Sequence, residues 1–195
     1  MDPARLLIAR IRDLTRAGST PLMVALDGRS AAGKSTLAAS VAAETGAAVI
    51  DGDDFYAGGS AEEWDAMSAE EKVAHCIDWR RQRPVLEALA GGRPGSWHEY
   101  DWSADDGRLL TTPWVCLPAP VVILEGVYSA RPELADLFDL RVLYSASEEL
   151  RQRRLAHREG EDQRVEWNAR WSEAERWYFE RIMPPESFDM VIEAI

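Results

Sequence analysis

A short apolar run, Pro21-Leu-Met-Val-Ala-Leu-Asp27, passes without a spacer into residues 28–35, which read G-R-S-A-A-G-K-S. Helix-forming residues follow directly, Thr36-Leu-Ala-Ala-Ser-Val-Ala-Ala-Glu44, and Gly46 closes them. An apolar run of this length reads as a strand buried on both faces, the kind found in parallel sheets covered by helices. A strand, a glycine-bounded turn and a helix in immediate succession confine the chain to an α/β architecture.

The turn fits the pattern G-x-x-x-x-G-K-[ST] at each fixed position. Gly28 and Gly33 let the backbone turn tightly, so that amides from Ser30, Ala31, Ala32 and Gly33 through Thr36 approach anionic oxygens. The helix that follows points its unpaired first-turn amides the same way. Lys34 is the cation for β- and γ-phosphates, and the Ser35 hydroxyl is a Mg²⁺ ligand. A nucleoside triphosphate with Mg²⁺ is therefore the expected ligand of this loop.

Downstream, apolar runs at 47–50, 121–124, 139–144 and 189–192 read as further strands. Helices are expected over 3–17, 69–75, 78–89, 147–157 and 165–183, the last stopped by Pro184-Pro185. Residues 57–68 read as a mobile surface segment. The stretch 96–116 carries Trp97, Tyr100, Trp102 and Trp114 about Asp105-Asp106-Gly107 and reads as a hairpin-like excursion. Strands alternating with helices give three layers around a central parallel sheet. The 195 residues suit one domain over 1–195, with a small lid near 151–166.

Lys plus Arg number 22 against 34 Asp plus Glu, a net charge of −12, so nucleic acid and acidic membrane faces are poor partners. No membrane-length apolar stretch or signal peptide is read, and Cys76 and Cys116 fit free buried thiols; a cytoplasmic location is expected. His75, His98 and His157 have no metal-ligand spacing.

Asp53 follows the strand over 47–50, where ligands bind in open α/β sheets, and fits the base that accepts a hydroxyl proton; Asp51 and Asp54 are rivals. Glu125 ends the run at 121–124 and fits a Mg²⁺ ligand, while Asp27 either supports that metal or caps the turn. Arg151, Arg154 and Arg158 share one helix face and fit either a phosphate clamp or a solvated face paired with neighbouring acids. Trp167, Trp171, Ala174 and Tyr178 form a helical stripe that reads as core packing.

With Asp27-Gly-Arg-Ser-Ala-Ala-Gly-Lys-Ser-Thr36, Asp53-Asp-Phe-Tyr56, Glu99-Tyr-Asp-Trp102, Ile123-Leu-Glu-Gly126, the arginine-rich helix and Phe188-Asp-Met-Val-Ile192, the chain resembles the uridine kinase and phosphoribulokinase group of phosphate-loop kinases. The resemblance spans about 22–192 and implies the P-loop kinase fold and phosphoryl transfer from ATP to a hydroxyl of a small molecule, a nucleoside above all. It implies Asp53 as base, Tyr56 in the acceptor pocket, Asp78 on ribose hydroxyls, Tyr100 on the base, and Arg154 and Arg158 in the lid. The family's base-reading histidine is replaced by Asp105, and Ala57-Gly58-Gly59 stands where an arginine is common. A carboxylate where a donor is expected favours an amino-bearing acceptor over a uracil carbonyl. Kinases of sugars or amine-rich antibiotics, and a nucleotide-dependent switch, are the alternatives; the oligomeric state is open.

Overall fold

The computed structural model describes residues 2–16, 21–104, 107–159 and 165–195, with backbone alone at 158, 159 and 165. Helix α1 (Pro3–Arg16) precedes strand β1 (Leu22–Asp27), and the phosphate-loop turn leads into α2 (Lys34–Thr45) and β2 (Ala48–Asp51). A 3₁₀ turn over Gly52–Phe55 is followed by α3 (Ala61–Ala66), α4 (Ala69–His75) and α5 (Trp79–Ala90). A two-stranded ladder, β3 (Gly95–Trp97) with β4 (Trp114–Cys116), precedes β5 (Val121–Glu125) and β6 (Leu140–Ser145). Helices α6 (Glu148–Glu159) and α7 (Val165–Arg181) and strand β7 (Met190–Glu193) complete the chain.

The main sheet has the order β2-β5-β1-β6-β7 and is parallel throughout. Alternation along β1 assigns its two faces. Leu22, Val24 and Leu26 pack with Leu7, Ile8 and Ile11 of α1 and Leu37 and Val41 of α2. Met23 and Ala25 share the opposite core with Leu86 and Leu89 of α5 and Ala174 and Tyr178 of α7. All six residues of β1 are buried, as a strand covered on both faces requires. These are the three layers that the alternation of strands and helices predicts.

Two local expectations change. Residues 57–68 contain a helix, α3, because Ser60 and Glu63 form a reciprocal capping box that satisfies its first amides. The strand that precedes Asp53, read from the order of the chain as a neighbour of the phosphate-loop strand, is not beside it, since β5 lies between them. Register compensates, because Asp51 is paired with Glu125, and Glu125 with Leu26. The acids at the carboxyl ends of β2 and β5 therefore meet beside the loop after β1.

Candidate active site

Gly28 and Gly33 hold positive φ values of 151° and 97°, and Ala31 between them sits at 62°. At Gly28 the glycine is obligatory: a Cβ there would lie 2.3 Å from the Tyr144 carbonyl oxygen of β6. Gly33 is the left-handed N-cap of α2 and has no side chain to spend on the helix, so the first-turn amides keep free donors for an anion.

A cleft of about 910 Å³ opens over this turn, lined by Ser30, Ala31, Gly33, Lys34, Ser35 and Thr36 from the loop and helix. Asp51, Asp53 and Glu125 line it from the ends of β2 and β5. Two of the amides expected on phosphate are instead taken within the protein, that of Ser30 by Glu175 at 3.1 Å and that of Ala32 by the Arg29 carbonyl at 3.1 Å, because the turn closes on itself before Gly33.

Among the three neighbouring aspartates the geometry discriminates. Asp54 turns away and accepts the Trp97 indole N–H at 2.9 Å. Burial raises its carboxyl to about 6 against that hydrogen bond, with repulsion from Asp51, Glu99 and Asp53 adding to the rise. Asp51 caps the 3₁₀ turn by accepting the Asp53 N–H at 2.9 Å, while Asp53 itself is exposed on the cleft.

Glu125 is buried, accepts a hydrogen bond from Ser35 and lies near Lys34. Burial nonetheless lifts its carboxyl to about 7, with Asp51 and Asp53 contributing. A carboxylate and a hydroxyl are hard oxygen donors of the kind Mg²⁺ takes alongside water and substrate phosphates. Among the described residues no group of three or more His, Cys, Asp or Glu forms a metal cage.

Asp27 settles differently from a metal support. Fully buried, its Oδ1 accepts the N–H groups of Gly28 (2.7 Å) and Tyr128 (2.9 Å), and its Oδ2 that of Ala130 and the Tyr178 hydroxyl (both 2.9 Å). It ties the start of the phosphate loop to the segment after β5 and to α7.

The arginine row divides. Arg154 lines the cleft beside Gly33, donates to the Ala32 carbonyl, and is joined by Arg153 and His157. Arg151, expected on phosphate, is instead buried behind the loop. Its Nε donates to the Ser30 carbonyl at 2.8 Å, and its other nitrogens meet Glu148 at 2.6 Å and Glu175 at 3.3 Å. The reason is position: Arg151 lies nearer the start of α6 than Arg154, with two carboxylates to satisfy it. Arg158 and the lid residues 160–164 lie outside the described side chains.

The acceptor residues form a separate group. Tyr56 is 5% exposed at the centre of an aromatic cluster, stacked on Trp102 at 5.0 Å and edge-on to Tyr100 at 5.0 Å. Trp64, Trp167 and Trp171 complete it, so the upper half of the α7 stripe packs on Tyr56 and the lower half, Ala174 and Tyr178, enters the core. Tyr100 is buried, whereas Trp102 is 46% exposed. Asp78 is the N-cap of α5, accepting the Arg80 N–H at 3.1 Å, and lines a pocket of about 420 Å³ with Gly58, Gly59 and Trp64 rather than the main cleft. Asp105 lies outside the described residues.

Sequence reasoning missed Glu175, a carboxylate 2% exposed on α7. Its signal was available: it stands between Ala174 and Tyr178 at the core edge of an apolar stripe, where a lone acid needs a partner.

No protein-family model matches the chain, and no curated protein sequence matches it significantly. Solved structures do. A possible uridine kinase from Bacillus stearothermophilus is 21% identical, with a TM-score of 0.67 over 95% of this chain and 98% of that one. A candidate fructose transport system kinase from Silicibacter sp. is 20% identical, with a TM-score of 0.70 over 98% and 99%. A D-glycerate 3-kinase from Cryptococcus neoformans is 12% identical, with a TM-score of 0.63 over 95% and 92%. The chain has the P-loop kinase fold.

Proposed function

We propose that this protein transfers the γ-phosphoryl group of ATP to a hydroxyl of a small molecule, and that the acceptor is a nucleoside or a close analogue. The observation that carries the reading is that Lys34, Ser35, Glu125 and Asp53 line one cleft. A nucleotide switch has no need of a carboxylate on the cleft placed to take a hydroxyl proton. The kinase fold agrees with the reading, and among the similar structures one is described as a possible uridine kinase, one as a fructose transport kinase and one as a glycerate kinase.

In the proposed reaction Asp53 orients the acceptor hydroxyl and accepts its proton as the oxygen bonds to the γ-phosphorus. The bond from that phosphorus to the β–γ bridging oxygen breaks, and ADP leaves. Lys34 and the amides of residues 33–36 stabilise charge on the phosphate oxygens. Ser35 and Glu125 would hold a Mg²⁺ ion, whose charge would offset that of the nucleotide phosphates. Arg154 and Arg153 stand where a lid would meet the nucleotide.

An amine-bearing acceptor is the second reading, favoured by the carboxylates of Asp51, Asp53 and Glu99 gathered about Asp54. ATP turnover over a panel of nucleosides, sugars, amino-sugars and nucleotides, with the product identified, tests both. Nucleoside monophosphate as product supports the first reading and phosphorylated amino-sugar the second. Hydrolysis without transfer to any acceptor sinks both.

A further inference from the structure

We infer that Glu175 is a positioning residue for the β-phosphate, fixing the phosphate loop from behind through Ser30. Its Oε1 accepts the Ser30 N–H at 3.1 Å and also the Ser30 hydroxyl. Its Oε2 faces Arg29 Nε and Arg151 Nη2, each at 3.3 Å. Arg151 Nε takes the remaining polar group of that residue, the Ser30 carbonyl, at 2.8 Å. Both peptide groups flanking Ser30 are thus held by side chains of α6 and α7. Arg29 is pinned in turn by Ser172 Oγ at 2.7 Å and Glu148 at 3.1 Å.

Position gives this network its consequence. Ser30 immediately precedes Ala31, the non-glycine residue at a φ of 62°. A left-handed alanine persists only where its surroundings impose it. The peptide plane between Ser30 and Ala31 sets where the following amides of Gly33 and Lys34 point, the Ala32 N–H being closed onto the Arg29 carbonyl at 3.1 Å. A buried carboxylate between two guanidinium groups contributes little net stability, because desolvation offsets the attraction. What such a network does supply is one fixed geometry. Glu175, Arg29 and Arg151 do not line the cleft; they set the cradle that does.

The inference rests on the reading of residues 28–35 as a nucleotide-binding loop, and the test separates the two. Mg-ADP and AMP are titrated calorimetrically into the wild-type chain, Glu175→Gln and Ser30→Ala, with thermal unfolding run on each. Wild-type protein that does not prefer ADP over AMP overturns the loop reading itself. Given that preference, Glu175→Gln should weaken ADP about tenfold, the loss of one charge-assisted hydrogen bond, and leave AMP unchanged. A merely structural role would move both ligands alike or neither. Wild-type ADP affinity in Glu175→Gln, or equal losses for ADP and AMP, overturns the proposal. Should that variant fail to fold, Ser30→Ala decides: it removes the hydroxyl contact alone and should cost ADP about threefold, and an unchanged ADP-to-AMP ratio overturns the proposal.

Discussion

The Tyr178 hydroxyl of α7 donates to Oδ2 of Asp27 at 2.9 Å, joining the helix farthest along the chain to the last residue before the phosphate loop. The other oxygen of Asp27 receives Gly28 and Tyr128 amides, and Oδ2 also receives Ala130. Each oxygen therefore faces a backbone N–H. An asparagine cannot serve this site, because whichever way its amide turns, an NH₂ meets an N–H. Asp27→Asn should cost about 2–4 kcal/mol of unfolding free energy, read by denaturant titration at neutral pH. A variant as stable as wild type would show that the carboxylate does not organise the loop.

The same residue predicts a pH dependence. Burial raises the Asp27 carboxyl from 3.8 to about 6, outweighing its hydrogen bonds and the nearby Lys34. The folded chain then binds this proton more tightly than the unfolded chain. The resulting stability is fully present below pH 3.8 and is lost as pH rises through about 6. The change amounts to about 3 kcal/mol. Denaturant titrations at pH 4, 5, 6 and 7 should show the advantage of wild type over Asp27→Asn largest at pH 4 and shrinking toward its neutral-pH value as pH increases. A protonated carboxyl keeps an acceptor lone pair on each oxygen, which an amide does not, so the advantage at pH 4 is real. A flat difference across that range counts against the shift.

Within the cleft, Asp53 and Lys34 should separate by what they disturb. Asp53 is exposed and lines the cleft, so if it is the base, Asp53→Asn should lower transfer about 100- to 10,000-fold with ATP affinity nearly intact. Lys34 is buried under the loop and contacts the Arg29 carbonyl at 3.3 Å, so Lys34→Met should weaken ATP binding and transfer together. Paired calorimetry and product assays read both. Wild-type transfer by Asp53→Asn would return the role of base to Asp51.

The donor half of this site was legible because its chemistry is local. Eight consecutive residues carry the loop, and Asp53 and Glu125 each follow a recognisable apolar strand. What lies across the fold was not. The insertion of β5 between β1 and β2 depends on tertiary pairing, and only that pairing sets Asp51 against Glu125. Arg151 and Arg154 share a helix face in sequence, yet Glu148 and Glu175 draw one behind the loop while the other reaches the cleft. The helix α3 was a local miss, since Ser60 and Glu63 carry a capping signal that the surrounding glycines obscured.

The aromatic cluster offers two residues with opposite expectations. Tyr56 is buried and touches five other rings, so Tyr56→Ala should destabilise by about 3–5 kcal/mol. Trp102 stacks on Tyr56 with its rings 17° from parallel but stays 46% exposed, so Trp102→Ala should cost about 1 kcal/mol or less. If the cluster receives the acceptor, that mild variant should raise the acceptor KM while sparing the KM for ATP. Unchanged acceptor KM in a folded Trp102→Ala protein would place the acceptor elsewhere, the pocket beside Asp78 being the next site to probe.

Gly28 and Ala31 both hold positive φ in the same loop, yet substitution should act in opposite directions at the two. Gly28 sits at 151°, a region almost closed to other residues, and a Cβ would meet the Tyr144 carbonyl at 2.3 Å. Gly28→Ala should cost about 2–5 kcal/mol and remove nucleotide binding, because the carbonyl belongs to β6 and cannot move without breaking its ladder. Ala31 already has the side chain that its φ of 62° disfavours. Ala31→Gly relieves that strain, about 1–2 kcal/mol, against a glycine entropy cost of about 0.5–1 kcal/mol. Thermal unfolding of the pair, each compared with wild type, should show a large loss for the first and a small gain for the second. Equal, small effects would mean that the loop is loose enough to choose its own geometry, and the buttressing from Tyr144 and Ser30 would then have no function to perform.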